Sequence, residues 1–374
     1  MHSLIIADIS FATRERAMLS RLEVGLADEG VRVTHAMPAS LIATGTFNVS
    51  ESIGIQSTVV TYQDRGLPFT HRRRAGDLAR AIEDRFEVPT PIDIVHAFGA
   101  ASWAIALDLA RRSGAGLLLE LWRPGLITPA AVLFATAART AHPVTPEFIV
   151  SESALATAIR AALPRAKVYS APWGVHAPPS PRGPRPAGQP LAVAMLCDTG
   201  DPRSCSAALA GLVQAASGTE MLIFAAIDET TPACEAALWA AARKLNLTDR
   251  FTIVPDMESR REPILDMDLL LLPEATGRQR TLTLEAMGAG LTVIAMADDT
   301  MESLADGTTA RLVASPTPGA WAQAIAATAL NPPAAADLTH SAHEHIRSNR
   351  IGSAQVADVL RAYQQVARSA AIAS

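Results

Sequence analysis

The residues best suited to chemistry fall in one stretch, Met267 to Val313, which reads MDLLLLPEATGRQRTLTLEAMGAGLTVIAMADDTMESLADGTTARLV. An apolar run ends at Pro273. A polar loop follows, and a short helical segment opens near Thr281 and Leu282 and carries Glu285 ahead of Gly288 and Gly290. A helix that begins directly after a strand presents backbone N–H groups and the positive end of its dipole, so it attracts an anion. A carboxylate one turn further on accepts hydrogen bonds from sugar hydroxyls. A ribose carrying a diphosphate satisfies both features, so this spacing fits a nucleotide diphosphate.

Other candidate motifs carry less. No G-x-G-x-x-G follows a strand and no Walker A sequence occurs, so the two commonest phosphate loops are absent. The segment HSAHEH offers His340, His343 and His345, two of them three apart as helical metal ligands would be. A solvated helix face beside Arg347 and Arg350 explains the same pattern more simply, and no metal is expected. Arg72, Arg73, Arg74, Arg80 and Arg85 cluster in THRRRAGDLARAIEDRF, a pattern that suits an anionic lipid or an anionic acceptor. Interleaved Asp77, Glu83 and Asp84 favour an ordinary salt-bridged surface helix, which leaves a peripheral membrane contact without support.

The elements that must position Glu285 and its loop alternate strand and helix through nearly the whole chain. Residues 2–7, 31–36, 92–98 and 116–122 read as buried parallel strands. Met18, Leu19, Leu22 and Leu26 line one helical face that stops at Gly30. Seven of the 25 prolines crowd residues 171–190, where neither a helix nor a central strand continues. The alternation then restarts with LAVAML (191–196). The expected organisation is an α/β Rossmann-like domain over 1–171, a linker over 172–190, a second such domain over 191–350 and a terminal helix over 351–374, with a ligand cleft between the domains. Residues 40–75 do not fit the pattern.

Composition narrows the class. The chain has 374 residues, 49% apolar and 18% charged, enough to bury two cores and too apolar for a disordered chain. Its 3 cysteines include no C-x-x-C, against a disulfide scaffold or thiolate zinc site. A net charge of −5 argues against nucleic acid as a partner. The apolar start is short and interrupted by Asp8, so neither a signal peptide nor a membrane span is expected, and a cytoplasmic location is the default.

The same stretch resembles the donor-binding core of GT-B-fold glycosyltransferases, of the retaining family 4. The resemblance rests on the LLLP strand end, the LEAM-G-AG helix and the ADG-TARLV turn. It extends to DIVHAF, FIVSESALATAI, PWGVH and the approach RFTIVPDMESRREPILDMDLLLLP, covering most of residues 92–330. It implies two Rossmann-type doubly wound domains facing a cleft, with a C-terminal helix crossing back to the first. It also implies sugar transfer from a nucleotide-diphosphate donor to a glycan, lipid or small-molecule acceptor that the residues do not name, with no cofactor. By resemblance Glu285 lies on the ribose, Thr281, Leu282 and Glu302 belong to donor binding, Arg203 neutralises the diphosphate, and His96 lies on the acceptor side. From the residues alone, His96 is a hydrogen-bonded histidine at a buried strand end.

This chain departs from the family pattern at several positions. The first donor-loop glutamate falls on Gly277, and the second cation beside Arg203 falls on Asp198. The first-loop diglycine is missing from ISFATRER, and the histidine after GLLLEL is replaced near Leu121 and Trp122. Arg278 and Arg280 are either replacement phosphate ligands, pairing oxygens bidentately, or solvated loop residues. The alternative to an enzyme is a catalytically degenerate GT-B protein that binds a nucleotide or a partner without turnover.

Overall fold

The computed structural model describes residues 1–43, 58–88, 90–139, 144–183, 185–186, 188–197, 201–227, 232–254, 261–275 and 281–373. The chain forms two compact units: Met1–Trp173 together with Gly352–Ser374, and Gly174–Ile351.

In the first unit the elements run β1 (His2–Ala7), α1 (Ile9–Arg14), α2 (Arg16–Asp28), β2 (Arg32–Pro38), α3 (Ala39–Ala43) and β3 (Thr58–Tyr62). They continue with α4 (His71–Glu83), β4 (Ile94–Phe98), α5 (Ala100–Ser113), β5 (Gly116–Leu121), α6 (Ile127–Ala137), β6 (Glu147–Val150), α7 (Ser153–Ala162) and β7 (Val168–Ser170). The strands form one parallel sheet in the order β3-β2-β1-β4-β5-β6-β7. All six residues of β1 are buried, as a strand covered by helices on both faces requires. In α2 the buried side chains are Met18, Leu19, Leu22, Glu23 and Leu26, and Gly30 turns the chain away at φ 75°. Helix α4 is the surface helix its charge pattern predicts: Ala75, Leu78 and Ile82 face inward while Asp77 pairs with Arg80.

The second unit contains β8 (Leu191–Cys197), α8 (Pro202–Ala215), β9 (Met221–Ile227), α9 (Pro232–Lys244), β10 (Phe251–Val254), α10 (Arg261–Leu265) and β11 (Leu269–Leu272). After these come α11 (Thr281–Ala289), β12 (Thr292–Met296), β13 (Arg311–Val313), α12 (Pro318–Ala327) and α13 (Pro332–Asn349). Its parallel sheet has the order β10-β9-β8-β11-β12-β13. The apolar LLLL of β11 is wholly buried between β8 and β12.

The final helix, α14 (Gly352–Ala373), belongs to the first unit and packs on α2 and β5. Two glycines permit the close approach: a Cβ on Gly25 or on Gly116 would meet Val356 or Val366 at 2.4 Å.

The proline-rich segment is held along the second unit from Gly174 onward. The Val175 N–H bonds the Arg350 carbonyl at 2.7 Å, and that of Arg182 bonds Ala289 O at 2.8 Å. A Cβ on Gly290 would lie 2.7 Å from Pro181 Cβ, and one on Gly288 would lie 3.1 Å from Ala177 Cβ. Gly288 and Gly290 therefore make room for this strap. The HSAHEH histidines correct the expectation of a solvated face. His343 is 1% exposed, and its Nδ1 lies 2.6 Å from the Gly288 carbonyl oxygen. His340 is exposed and His345 half-buried. The face of α13 is set by what α11 offers it, which helical spacing does not reveal.

Candidate functional site

In an open parallel α/β sheet, ligands bind beyond the strand C-termini where the strand order reverses. In the second unit that point lies between β8 and β11. Two connections leave it: β8 is followed in the chain by α8, and β11 by α11.

At the head of α8, Asp201 is the N-cap. Its carboxylate accepts the Arg203 N–H at 3.0 Å and the Ser204 hydroxyl at 2.8 Å. Partial burial pushes this carboxyl upward, but the donors at the helix start outweigh burial and hold it below the ordinary aspartate value. The Asp201 N–H reaches Glu274 Oε1 in the loop after β11, at 2.8 Å, and so ties the two connections together. Arg203, the predicted diphosphate cation, stands exposed on the first turn of α8.

At the head of α11 the side chains are packed. Thr281 and Leu282 are 0% and 1% exposed, and Glu285 is 8% exposed. Glu285 forms an ion pair with Arg261, which starts α10 and is itself 9% exposed. Arg261 also donates to Thr281 Oγ1 at 2.8 Å. One guanidinium thus fixes the acid one turn into α11 and the hydroxyl at its head. Arg261 is the residue that sequence reasoning missed. It lies 24 positions before Glu285, inside a run of charged residues, and only the fold pairs them. A fixed carboxylate, a helix start and an exposed arginine around one switch point suit an anionic group joined to hydroxyls.

Glu302 is exposed beyond β12. It follows a turn in which Asp298 Oδ1 accepts the Thr300 N–H and hydroxyl at 2.9 and 2.6 Å. Arg278, Arg280, Gly277 and Asp198 lie outside the described residues. Among the described residues no group of three His, Cys, Asp or Glu is arranged to hold a metal ion, and no helix is long and apolar enough to cross a membrane.

His96 lies in the first unit and is 0% exposed. Its Nδ1 is 3.0 Å from the Tyr363 hydroxyl on α14, and its Nε2 is 3.2 Å from Glu120 on β5. Glu120 in turn accepts the Trp173 indole N–H at 2.7 Å. Burial pushes the Tyr363 phenol upward. Both ring nitrogens of His96 are occupied by this chain, which links the sheet to the terminal helix.

The switch point of the first unit lies between β1 and β4. There Asp8 caps α1, accepting the Phe11 N–H at 2.8 Å, and also accepts the Ala101 N–H of α5 at 3.2 Å. Burial raises its carboxyl above the ordinary value, against those two N–H donors, Arg123 and Arg14. Gly99, at φ 87°, passes so close that a Cβ would sit 2.1 Å from this carboxylate. Phe11, Trp122 and Trp173 pack together nearby, with ring centroids 5.5 to 6.2 Å apart, where ISFATRER lacks the family diglycine.

Residues 204–331 match the family described as glycosyl transferases group 1. No curated protein matches the chain in sequence. A solved glycosyltransferase from Rickettsia africae shares 13% identity at a TM-score of 0.69, with 98% of each chain covered. Sucrose-phosphate synthase from Thermosynechococcus elongatus shares 13% at 0.73, covering 99% of this chain and 100% of its own. The HepE protein of Anabaena, solved with UDP and glucose, shares 12% at 0.72, covering 98% of this chain and 100% of its own. The fold is therefore of the GT-B type, two parallel-sheet α/β units. The chain resembles GT-B glycosyltransferases, and its group 1 glycosyltransferase match lies in the second unit.

Proposed function

We propose that the protein transfers a sugar from a nucleotide-diphosphate donor to an acceptor, with retention at the anomeric carbon and without a metal. The observation that carries this reading is the Arg261–Glu285–Thr281 arrangement at the switch point of the second sheet. It holds a carboxylate where ribose hydroxyls would meet it, one turn beyond a helix start where a diphosphate would sit. The group 1 match spans this region, and HepE has been solved with UDP-glucose. Retention is carried over from the resemblance to the retaining family.

The departing group is a nucleoside diphosphate, and its growing charge is what the site must stabilise. Arg203, Arg278, Arg280 and the first-turn amides of residues 281–284 take that role, so the cations a metal would supply come from side chains. Thr281 and Leu282 present those amides, and Glu285 orients the nucleotide through its ribose. Glu302 contributes from beyond β12. His96 acts on the acceptor side only through its buried chain of partners. The protein works in the cytoplasm on nucleotide-activated sugar, with no cofactor.

A second reading has its own observation. Asp201 and Glu274 place acids around Arg203, and the Glu285 carboxylate is already engaged by Arg261. These features favour a degenerate GT-B protein that binds a nucleotide or partner without turnover. Donor-sugar hydrolysis decides between them when the wild type is compared with the Arg278→Ala, Arg280→Ala double variant. The enzyme reading expects the double variant to lose about 100-fold or more, the scale of one lost charge-stabilising donor. Equal rates in both proteins would leave the non-catalytic reading.

A further inference from the structure

Cys197 ends β8 and Cys205 lies in the first turn and a half of α8, and both are 0% exposed. Their sulfurs are 3.0 Å apart, with no disulfide between them. Buried cysteines pack as small apolar groups, and these two belong to the core under the second sheet. Packing alone does not require two sulfurs at this separation. Of the seven residues between them, Asp201 caps α8 and bonds Glu274, and Arg203 stands exposed beside it. A bond between the sulfurs would close a short ring around that segment.

We propose that Cys197 and Cys205 form a reversible disulfide that clamps the start of α8. The inference rests on the thiol geometry and is independent of the nucleotide assignment. The oxidant is a small-molecule disulfide such as oxidised glutathione. One cysteine thiolate attacks a glutathione sulfur and expels a glutathione thiolate, giving a mixed disulfide. The second cysteine thiolate attacks the protein sulfur of that mixed disulfide and expels the other glutathione. The protein loses two protons and two electrons, and oxidised glutathione becomes two reduced molecules. Both sulfurs are buried, so the exchange passes through local opening of the α8 start and runs more slowly than at an exposed thiol.

The test uses the full chain with Cys234→Ser, which leaves this pair as its cysteines. The protein is equilibrated in glutathione buffers from reducing to oxidising poise, then alkylated and mapped by mass spectrometry. The expected result is one intramolecular cross-link joining Cys197 to Cys205, absent at reducing poise and removed by dithiothreitol. Amide hydrogen exchange over residues 201–206 should slow several-fold in the oxidised form. Full alkylation of both thiols at every poise, or glutathione adducts that never resolve to the cross-link, would overturn the proposal. So would a cross-link that leaves exchange over 201–206 unchanged.

Discussion

The two units place an aspartate at the same topological position and treat it oppositely. Asp8 follows β1 and Asp201 follows β8, and each caps the helix that leaves the switch point of its sheet. Asp8 is 7% exposed, bonds the starts of two helices, and has its carboxyl pushed up chiefly by burial. Asp201 is exposed and has its carboxyl held down by donors that outweigh burial. The first switch point is thus filled by the protein's own acid and by the Phe11, Trp122 and Trp173 rings. The second keeps Asp201 and Arg203 at the surface, beside the buried Arg261–Glu285 pair. One topology supports a closed core end in one unit and a candidate site in the other, and the difference lies in a few side chains.

The largest way to break this comparison is Arg261→Met. It takes the Arg261 guanidinium away from the buried Glu285 carboxylate, at a cost of about 3–5 kcal/mol in stability. Adding Glu285→Leu should restore much of that loss, because it removes the buried acid that the guanidinium offset. Denaturant unfolding of the wild type, both single variants and the double variant checks this. Simple additivity would mean the pair is not coupled.

Gly99→Ala strikes the closed switch point. The new Cβ would meet the Asp8 carboxylate, for about 1–3 kcal/mol of overpacking, and the left-handed backbone adds about 1–2 kcal/mol. The expected melting curve is lowered, with nucleotide affinity intact in protein that remains folded. Loss of nucleotide affinity in folded protein would put the first switch point into the ligand site.

Glu285→Ala should weaken nucleotide binding by about 1.5–3 kcal/mol for each charge-assisted hydrogen bond lost. The sequence alone suggests that this change spares the fold. The ion pair with Arg261 alters that expectation, so stability should fall as well. Conservative Glu285→Gln keeps the shape and separates the two effects. An unchanged nucleotide affinity in both variants would remove Glu285 from the site.

The smallest effects are the pH dependences of the two caps, measured by unfolding from neutral pH to below pH 3.8. The Asp8 carboxyl lies above 3.8 in the folded chain, so its ionised form opposes folding at neutral pH. That penalty is relieved as pH falls through the raised value toward 3.8, and Asp8→Asn should flatten the profile in that window. The Asp201 carboxyl lies below 3.8, so its contribution is present above 3.8 and is lost as pH falls through the lowered value. Asp201→Asn should flatten the profile there instead. Asparagine caps a helix about as well as aspartate, so neither change removes the cap. Identical windows for the two variants would erase the contrast between the units.

Much of the fold was legible because burial leaves a direct trace in sequence. HSLIIA and LLLL are continuous apolar runs, and they became strands buried on both faces. The helical face of Met18, Leu19, Leu22 and Leu26 was equally plain. The candidate site was legible only as a region. Glu285 and the helix start were visible from local order, whereas Arg261 joins them through a contact that sequence spacing does not encode. Gly288 and Gly290 were visible after Glu285, but the sequence does not show that they make room for Ala177 and Pro181. His343 shows the same limit, since its partner is a carbonyl 55 residues away.

The most direct test of the contrast between the units is calorimetric titration of the full chain with UDP, GDP and ADP, repeated on Arg203→Ala and on Asp8→Asn. The account predicts saturable binding of at least one nucleotide, weakened in Arg203→Ala and unchanged in Asp8→Asn. No binding of any of the three, or binding lost in Asp8→Asn and kept in Arg203→Ala, would contradict it.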